Sequence, residues 1–434
     1  MKRILVISCI WFSSIAMILG QELLTAKEAV AIALENNYAI KLSENDLVVA
    51  TENVTYGNAG MLPTVTANFA QNNSSQNSRQ VQNNGEERSL DNAKNNSMNY
   101  GVSLGWTIFD GLGMFARYEK FQELQKQGDI ALKRTIITTV GDVIALYYTI
   151  VEQKNVLAAL DSSIVISKER LRTAENRFSI GKASKLEVLN VQVNLNADVS
   201  AHLKQQEVVK NLKINLNSLL VRDLDIDFDV EDEVVIDESL AYNDLLERAN
   251  MSNPELQLIS INKRLAELDL KNVKALRYPT IRLNGGYNFS QSESSLGFVA
   301  SSNARGLTYG VTASLNIFDG FNQRRNERIA KIQVDNASLQ IEQRELLIQT
   351  NIKTAYETYL TNIQLVKLEE KNEDIARENL NITLAKYTIG SISAVEFRDA
   401  QENFINAITR YNSSLLQAKL SEMQLKELVG QLDF

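Results

Sequence analysis

The chain has one cysteine, Cys9, and one histidine, His202, in 434 residues. Cys9 stands so near the N-terminus that a processed form would carry no thiol. No disulfide framework, Cys/His metal set or thiol nucleophile can then be assembled. A lone histidine leaves no imidazole-based catalytic constellation, and His202, on a helical run, reads as an exposed bystander. Proline is nearly as scarce. Pro63, Pro254 and Pro279 are the only three, and none falls between 64 and 253, so a very long helix is permitted there. After the N-terminus no stretch reaches the roughly eighteen apolar residues of a spanning helix, so any membrane crossing must use strands. Cationic excess is also missing. A net charge of −8 without a Lys/Arg run offers no phosphate-binding surface, and nucleic acid is not an expected partner.

The first twenty residues have the layout of a signal peptide. Lys2-Arg3 precedes an apolar run from Ile4 to Leu19, then Gly20-Gln21, and cleavage is expected near Gly20. The rival is an uncleaved anchor helix, for which the run is short. Val6-Ile7-Ser8-Cys9 lies too early, with too little apolar sequence before it, to serve as a lipid-attachment box.

The dominant positive feature is a duplication. Tyr100-Gly-Val, Ile108-Phe-Asp-Gly111 and Arg177-Phe-Ser-Ile-Gly181-x-x-Ser184-x-x-Glu187 return as Tyr309-Gly-Val, Ile317-Phe-Asp-Gly320 and Lys386-Tyr-Thr-Ile-Gly390-x-x-Ser393-x-x-Glu396. Each pair keeps an offset of 209 residues, as between Tyr100 and Tyr309. Loops tolerate insertions, whereas one extra residue in a continuous helix rotates its whole buried face. The constant offset therefore predicts two large units, each built on a rigid rod. The expected boundaries are repeat 1 at 21–221, an acid-rich linker at 222–240, repeat 2 at 241–430 and a tail at 431–434.

Within each unit the period of the apolar residues changes. Leu24-Thr25-x-x-Glu28 is a capping-box pattern before a helical run, and a similar helix is expected around Tyr242 to Asn250. The segments from Asn37 to Pro63 and from Asn253 to Pro279 look helical up to each proline. Thereafter apolar residues alternate: Val65, Ala67, Phe69; Tyr100, Val102, Leu104, Trp106, Ile108; Ile281, Leu283, Tyr287, Phe289; Tyr309, Val311, Ala313, Leu315, Ile317. This predicts four strands, at about 64–70, 99–109, 280–290 and 307–318. Their length suits a tilted membrane crossing, with aromatic residues near the ends; a soluble sandwich is the alternative for four strands alone. The Asn-, Gln- and Ser-rich segments 70–98 and 290–306 read as surface loops. Between Gly111 and Gly181, and between Gly320 and Gly390, no proline occurs. Ile352, Tyr356, Tyr359, Ile363 and Val366 form a coiled-coil seam. The matched Val143, Tyr147, Ile150 and Leu157 follow that seam less completely. Helical patterns resume at about 184–219 and 393–429, so each Gly-x-x-Ser closes a helical hairpin.

Four candidate chemistries can be weighed. Gly111-x-Gly113-x-x-Ala116 matches a dinucleotide fingerprint, but it opens a helix far too long for a βαβ unit, and strand-to-helix turning is the better reading. Asp223, Asp225, Asp227 and Asp229 alternate like calcium-loop ligands, yet Phe228 takes the place of the required glycine, and a solvated edge strand is favoured. Histidine catalysis is nearly excluded, and neither a cofactor nor a metal is expected. The carboxylates after each turn remain. Glu187 and Glu396 lie six residues past Gly181 and Gly390, and Asp399 is one turn beyond Glu396 on the same face. On a plain coiled coil they are solvated charges. Around an oligomer axis they become stacked acidic rings.

Taken together and in order, these landmarks resemble the TolC-type outer-membrane efflux proteins over essentially all of 22–430. They include Leu24-Thr25-x-x-Glu28-Ala29, Asn253-Pro254-Glu255-Leu256 and the prolines before strands. They also include the two Phe-Asp-Gly turns and the two Ile-Gly-x-x-Ser turns. The resemblance implies an α+β membrane protein of two internal repeats, a homotrimer in outer-membrane lipid whose chains contribute four strands each to a twelve-stranded barrel. The barrel continues into a long α-helical periplasmic tunnel, belted by residues 222–240 and the C-terminal end. It implies a passive exit duct in the outer membrane of a Gram-negative bacterium, without enzymatic activity. The partners implied are a periplasmic adaptor and an inner-membrane transporter of RND, ABC or MFS type, in drug efflux, metal-ion efflux or type I secretion. It also implies that Gly181, Ser184, Leu186, Gly390, Ser393 and Val395 form the adaptor-contact tips, near 181–187 and 390–396. Tyr387, Glu396, Asp399 and Glu187 are the implied entrance gate. Asn190 stands where the second copy has Asp399, and Ile392 where some relatives carry a gate-locking arginine. The rival to the duct is an exported coiled-coil tether without a pore.

Overall fold

The computed structural model describes residues 22–296 and 299–431; the expected signal peptide and residues 432–434 lie outside the described residues. A short strand β1 (Glu22–Leu24) leads into α1 (Ala26–Asn36) and α2 (Tyr38–Glu52). Thr25 and Glu28 close a reciprocal capping box at the start of α1. Next come β2 (Thr64–Val81), β3 (Glu87–Asp110), α3 (Gly113–Ser179), α4 (Lys185–Leu219) and β4 (Phe228–Val230). The second half contains α5 (Tyr242–Ser252), α6 (Pro254–Ala275), β5 (Thr280–Ser294), β6 (Ser301–Ser314), α7 (Asn322–Thr388) and α8 (Ala394–Leu428). Helices α3 and α7 both have 67 residues, and α4 and α8 both have 35. A helix of 67 residues is about 100 Å long.

Four strands form one antiparallel sheet in the order β2-β3-β5-β6. The register places Val65, Leu104, Gly285 and Tyr309 along one row, and Phe69, Tyr100, Phe289 and Arg305 along another. Alternation therefore collects the apolar side chains on one face, with the Tyr100 and Phe289 rings stacked at 4.7 Å. Thr64, Gly105, Asn284 and Gly310 fall on the opposite, polar face. Val65, Phe69, Leu307, Tyr309 and Val311 are all exposed, an arrangement suited to lipid and unsuited to water.

The strands are longer than the expected 64–70, 99–109 and 280–290. The polar segments assigned to loops are mostly ladder: β2 reaches Val81 and β3 begins at Glu87, while β5 reaches Ser294 and β6 begins at Ser301. Asn, Gln and Ser have weak strand preference, but pairing along a preformed neighbour overrides it. Cross-strand contacts such as Ser294 Oγ to Asn95 Oδ1 at 2.6 Å add to the ladder. At the other end β6 stops at Ser314, short of the expected 318. Its partner Thr280 follows Pro279, which has no N–H to extend the ladder. The first helical pair also departs from expectation. Helix α2 stops at Glu52, well before Pro63, because Asn53, Thr55 and Asn58 bond local backbone in a turn that includes Gly60 at φ 81°.

Each Phe-Asp-Gly turn converts strand to helix. Asp110 accepts the Met114 N–H at 3.0 Å, and Asp319 accepts the Gln323 N–H at 2.7 Å. Gly111 has φ 72°, and a Cβ there would sit 2.2 Å from the Ala275 carbonyl oxygen, so only glycine fits. The glycines of the apparent dinucleotide fingerprint are used here.

The shaft's main cores lie along its middle. Leu24, Val143, Ile144, Tyr147, Ile150, Leu216 and Phe228 form one, where β1 pairs in parallel with β4. Leu245, Ile352, Tyr359, Leu425 and Val429 form the other. Among the described residues, α3 alone is long and apolar enough by composition to cross a membrane, but its apolar residues Val140 to Val151 are spent on the first core. Contacts in the two halves correspond. The Tyr147 hydroxyl donates to the Leu24 carbonyl at 3.0 Å and the Tyr356 hydroxyl to that of Leu240 at 3.4 Å. Asn37 Nδ2 donates to the Leu219 carbonyl, and Asn253 Nδ2 to that of Leu428. The acids between the halves are not a regular edge strand: only Phe228–Val230 is strand. Asp227 pairs with Lys213 and Asp229 with Lys154, each at 2.7 Å. His202 is no exposed bystander either. Its Nε2 lies 2.7 Å from Asp161, with the ring largely covered between α3 and α4.

Candidate functional site

The ends of the two helical hairpins bring the expected site residues together. Each turn ends its helix in a Schellman arrangement. Gly181 N–H bonds the Phe178 carbonyl and Lys182 N–H that of Arg177; Gly390 and Ser391 repeat this with Tyr387 and Lys386. Gly181 and Gly390 have φ 75° and 79°, which explains the glycines. Ser184 and Ser393 then cap α4 and α8 by accepting the N–H groups of Glu187 and Glu396. Leu186 is 66% and Val395 69% exposed, so each tip presents an aliphatic side chain to solvent.

The four residues expected at the gate sit in four different settings. Tyr387 is 1% exposed. Its ring packs on Phe397 with centroids 5.4 Å apart, and the Arg170 guanidinium lies 5.8 Å from it. Its hydroxyl is buried without a hydrogen bond. Burial pushes this phenol up, against the Arg170 charge that would lower it. In the single chain Tyr387 faces the interior of the helical layer. Glu396 is exposed, but its carboxylate accepts the Ser393 N–H at 2.8 Å, completing a capping box. Glu187 lies 3.7 Å from Arg177. Asp399 is exposed and makes no hydrogen bond or ion pair among the described residues. Among the described residues no group of three or more His, Cys, Asp or Glu side chains is placed to hold a metal ion.

Beneath the tips lies a buried polar network. Arg170, on α3 and 1% exposed, donates to Gln401 Oε1 and to the Ala394 carbonyl, each at 3.1 Å, and stacks on Phe397 at 4.8 Å. Burial lowers its pKa, since no carboxylate touches it. Gln401 donates to Ser163 Oγ at 2.7 Å and to Ser167 Oγ at 2.9 Å. Ser167 and Arg398 both bond Asp198, at 2.6 and 2.7 Å. Residues of α3, α4 and α8 are thereby tied together in a low-dielectric layer.

Comparison with known proteins decides the family. The model of the outer membrane efflux protein family matches residues 29–221 and 245–431. The chain belongs to the outer membrane efflux protein family. It is 19% identical to outer membrane protein TolC of Vibrio cholerae, over 98% of this chain and 92% of that protein. It is 23% identical to the probable efflux pump outer membrane protein TtgC of Pseudomonas putida, over 76% of this chain and 69% of that protein. Its fold is similar to the CmeC outer membrane channel of Campylobacter jejuni, with TM-score 0.75, 16% identity and coverage of 93% and 85% of the two chains. The open-state MtrE outer membrane channel of Neisseria gonorrhoeae gives TM-score 0.70 at 16% identity, covering 94% and 89%.

This efflux family protein resides in the outer membrane of Gram-negative bacteria, and the CmeC and MtrE structures it resembles are outer membrane channels. Sequence reading missed the layer around Arg170. A signal was present: Ser163, Ser167, Arg170 and Ala174 step by 4, 3 and 4 along α3, and all are buried. They keep a 4-3-4 spacing of small and polar residues, one position out of register with Val143, Tyr147, Ile150 and Leu157, which an apolar pattern search passes over.

Proposed function

We propose that this efflux family protein is a homotrimeric, passive outer-membrane exit duct. It couples through a periplasmic adaptor to an inner-membrane transporter of RND, ABC or MFS type, in efflux or type I secretion. The observation that carries this reading is the four-stranded sheet. One face is apolar, the other is polar, and β2 and β6 are its two edges. An exposed edge beside lipid leaves backbone groups unsatisfied, and closing the sheet removes both edges. Three copies give a twelve-stranded barrel with the apolar face outward. The duplicated sequence makes each chain two repeats, so six helical hairpins continue the barrel as a shaft of about 100 Å.

The tips then form the periplasmic entrance. Leu186 and Val395, held out by the Gly181–Ser184 and Gly390–Ser393 turns, supply apolar adaptor contacts. Asp399 supplies the free acid of an entrance ring, and Glu396 and Glu187 add charge while engaged in capping and pairing. Tyr387 acts from behind the ring, by fixing α7 against α8. Single-particle imaging of the detergent-purified mature protein tests the reading. A threefold tube with a helical shaft is expected. A thin monomeric or dimeric rod that washes from membranes in carbonate would leave the exported tether.

A further inference from the structure

The polar face of the sheet is almost free of charge, and its exception has no partner. The inward rows run from the last rung at Asp110 and Thr280 to the irregularity at Gln76/Ser78. On β2 they are Thr64, Thr66, Asn68 and their even-numbered successors, and on the other strands the registered Thr, Ser, Asn, Ala and Gly positions. Apart from Asp110 on the last rung, the one ionisable side chain among them is Arg282, paired across rungs with Thr107 and Thr312. Asp110 is already committed. It accepts Arg117 Nη2 at 2.8 Å and the Met114 N–H at 3.0 Å.

Arg282 is exposed and makes no hydrogen bond or ion pair among the described residues. Its guanidinium extends over Gly105, where an added Cβ would lie 3.8 Å from Nη2. Its strand, β5, is flanked on both sides by strands of the same chain, so assembly cannot bring a neighbouring chain's strand beside it. Next to it Thr64, Ser103, Asn284, Gly286 and Gly310 line a trough of about 410 Å³ with no carboxylate, lysine or arginine in its lining.

We propose that Arg282 is a charge-selecting residue of the duct. Three copies form a guanidinium ring at the membrane end of the shaft, which attracts multivalent oxyanions and cargo bearing phosphate or carboxylate groups. The inference rests on the duct reading. A charged ring in a pore with otherwise neutral walls dominates the local field, and a guanidinium fork suits oxyanions. The entrance acids lie at the far end of the shaft, many screening lengths away. The two filters therefore act independently.

The test is block of full-length trimers in planar bilayers by inorganic tripolyphosphate added on the barrel side. Wild type and Arg282→Lys should be blocked. Arg282→Gln should raise the half-blocking concentration by about an order of magnitude. Thr312→Asp, which sets an acid across the rung while keeping the arginine, should do the same and guards against a misfolded glutamine variant. Equal block of wild type, Arg282→Gln and Thr312→Asp trimers of normal conductance overturns the assignment. Failure of wild-type trimers to conduct at all would sink the duct reading, and this proposal with it.

Discussion

Arg170 shows how a single buried side chain sets the behaviour of the tip. A guanidinium without a carboxylate partner is costly to bury, and it is retained because Gln401, the Ala394 carbonyl and the Phe397 ring receive it. Arg170→Ala removes that donor set and opens a cavity, at about 3 kcal/mol of local stability. Hydrogen exchange should then accelerate at Ala394 to Gln401 while the mid-shaft cores keep their protection; unchanged exchange at the tip would contradict this role. The tyrosines of the two main cores make a second prediction. Burial pushes Tyr147 and Tyr359 up to about 12 from an ordinary 10.0. A raised phenol gives stability that is intact below its unfolded value and lost as pH rises through the folded one. The shaft should therefore loosen between about pH 10 and 12, with tyrosinate absorbance appearing together with the loss of helical circular dichroism. Ionisation of these phenols well before unfolding would count against it.

At the scale of elements, length is the controlling quantity. Helices α3 and α7 match at 67 residues and pack laterally along much of their course, α3 against α4, α6 and α8 and α7 against α6 and α8. One residue inserted near the middle of α3 turns everything beyond it by about 100°, carrying Ser163, Ser167 and Arg170 away from Asp198 and Gln401. A seven-residue insertion nearly restores the face. Trimer yield in outer-membrane fractions should fall sharply for the first and much less for the second. Equal yields would mean that the seam does not register the shaft. The hairpins of the sheet tolerate change better, as the two halves already differ in length there, with β2 and β3 at 18 and 24 residues against 15 and 14 for β5 and β6.

On the scale of the whole molecule, the acids proposed for the entrance differ in what they can give. Glu396 is engaged with Ser393 as a cap, whereas Asp399 has no partner among the described residues. If the trimer brings them to its axis, Asp399→Asn should weaken divalent-cation block from the tip side more than Glu396→Gln. The latter should leave the α8 cap largely intact, since Ser393 still accepts the N3 amide and glutamine also completes a capping box. Block measured on single channels decides the order, and the reverse ranking would assign the ring to Glu396. Tyr387 should show the smallest direct effect on conductance, since its ring is interior.

Much of this protein was readable from its sequence. The duplicated Phe-Asp-Gly and Ile-Gly-x-x-Ser turns, the scarcity of proline and the switch between periods of two and about 3.6 state the order of elements, because each is a local steric requirement. The family resemblance follows from those landmarks in order. Three things were decided only by tertiary structure. Asn- and Ser-rich segments became strands because a neighbouring strand completed their hydrogen bonds. Tyr387 turned inward because Phe397, across the adjacent turn, and Arg170, distant in sequence, build its pocket. Arg282 was left alone because its neighbours on the sheet are glycine and threonine. Local sequence determines what a backbone can do, but which side chains meet depends on register and packing between segments far apart in the chain.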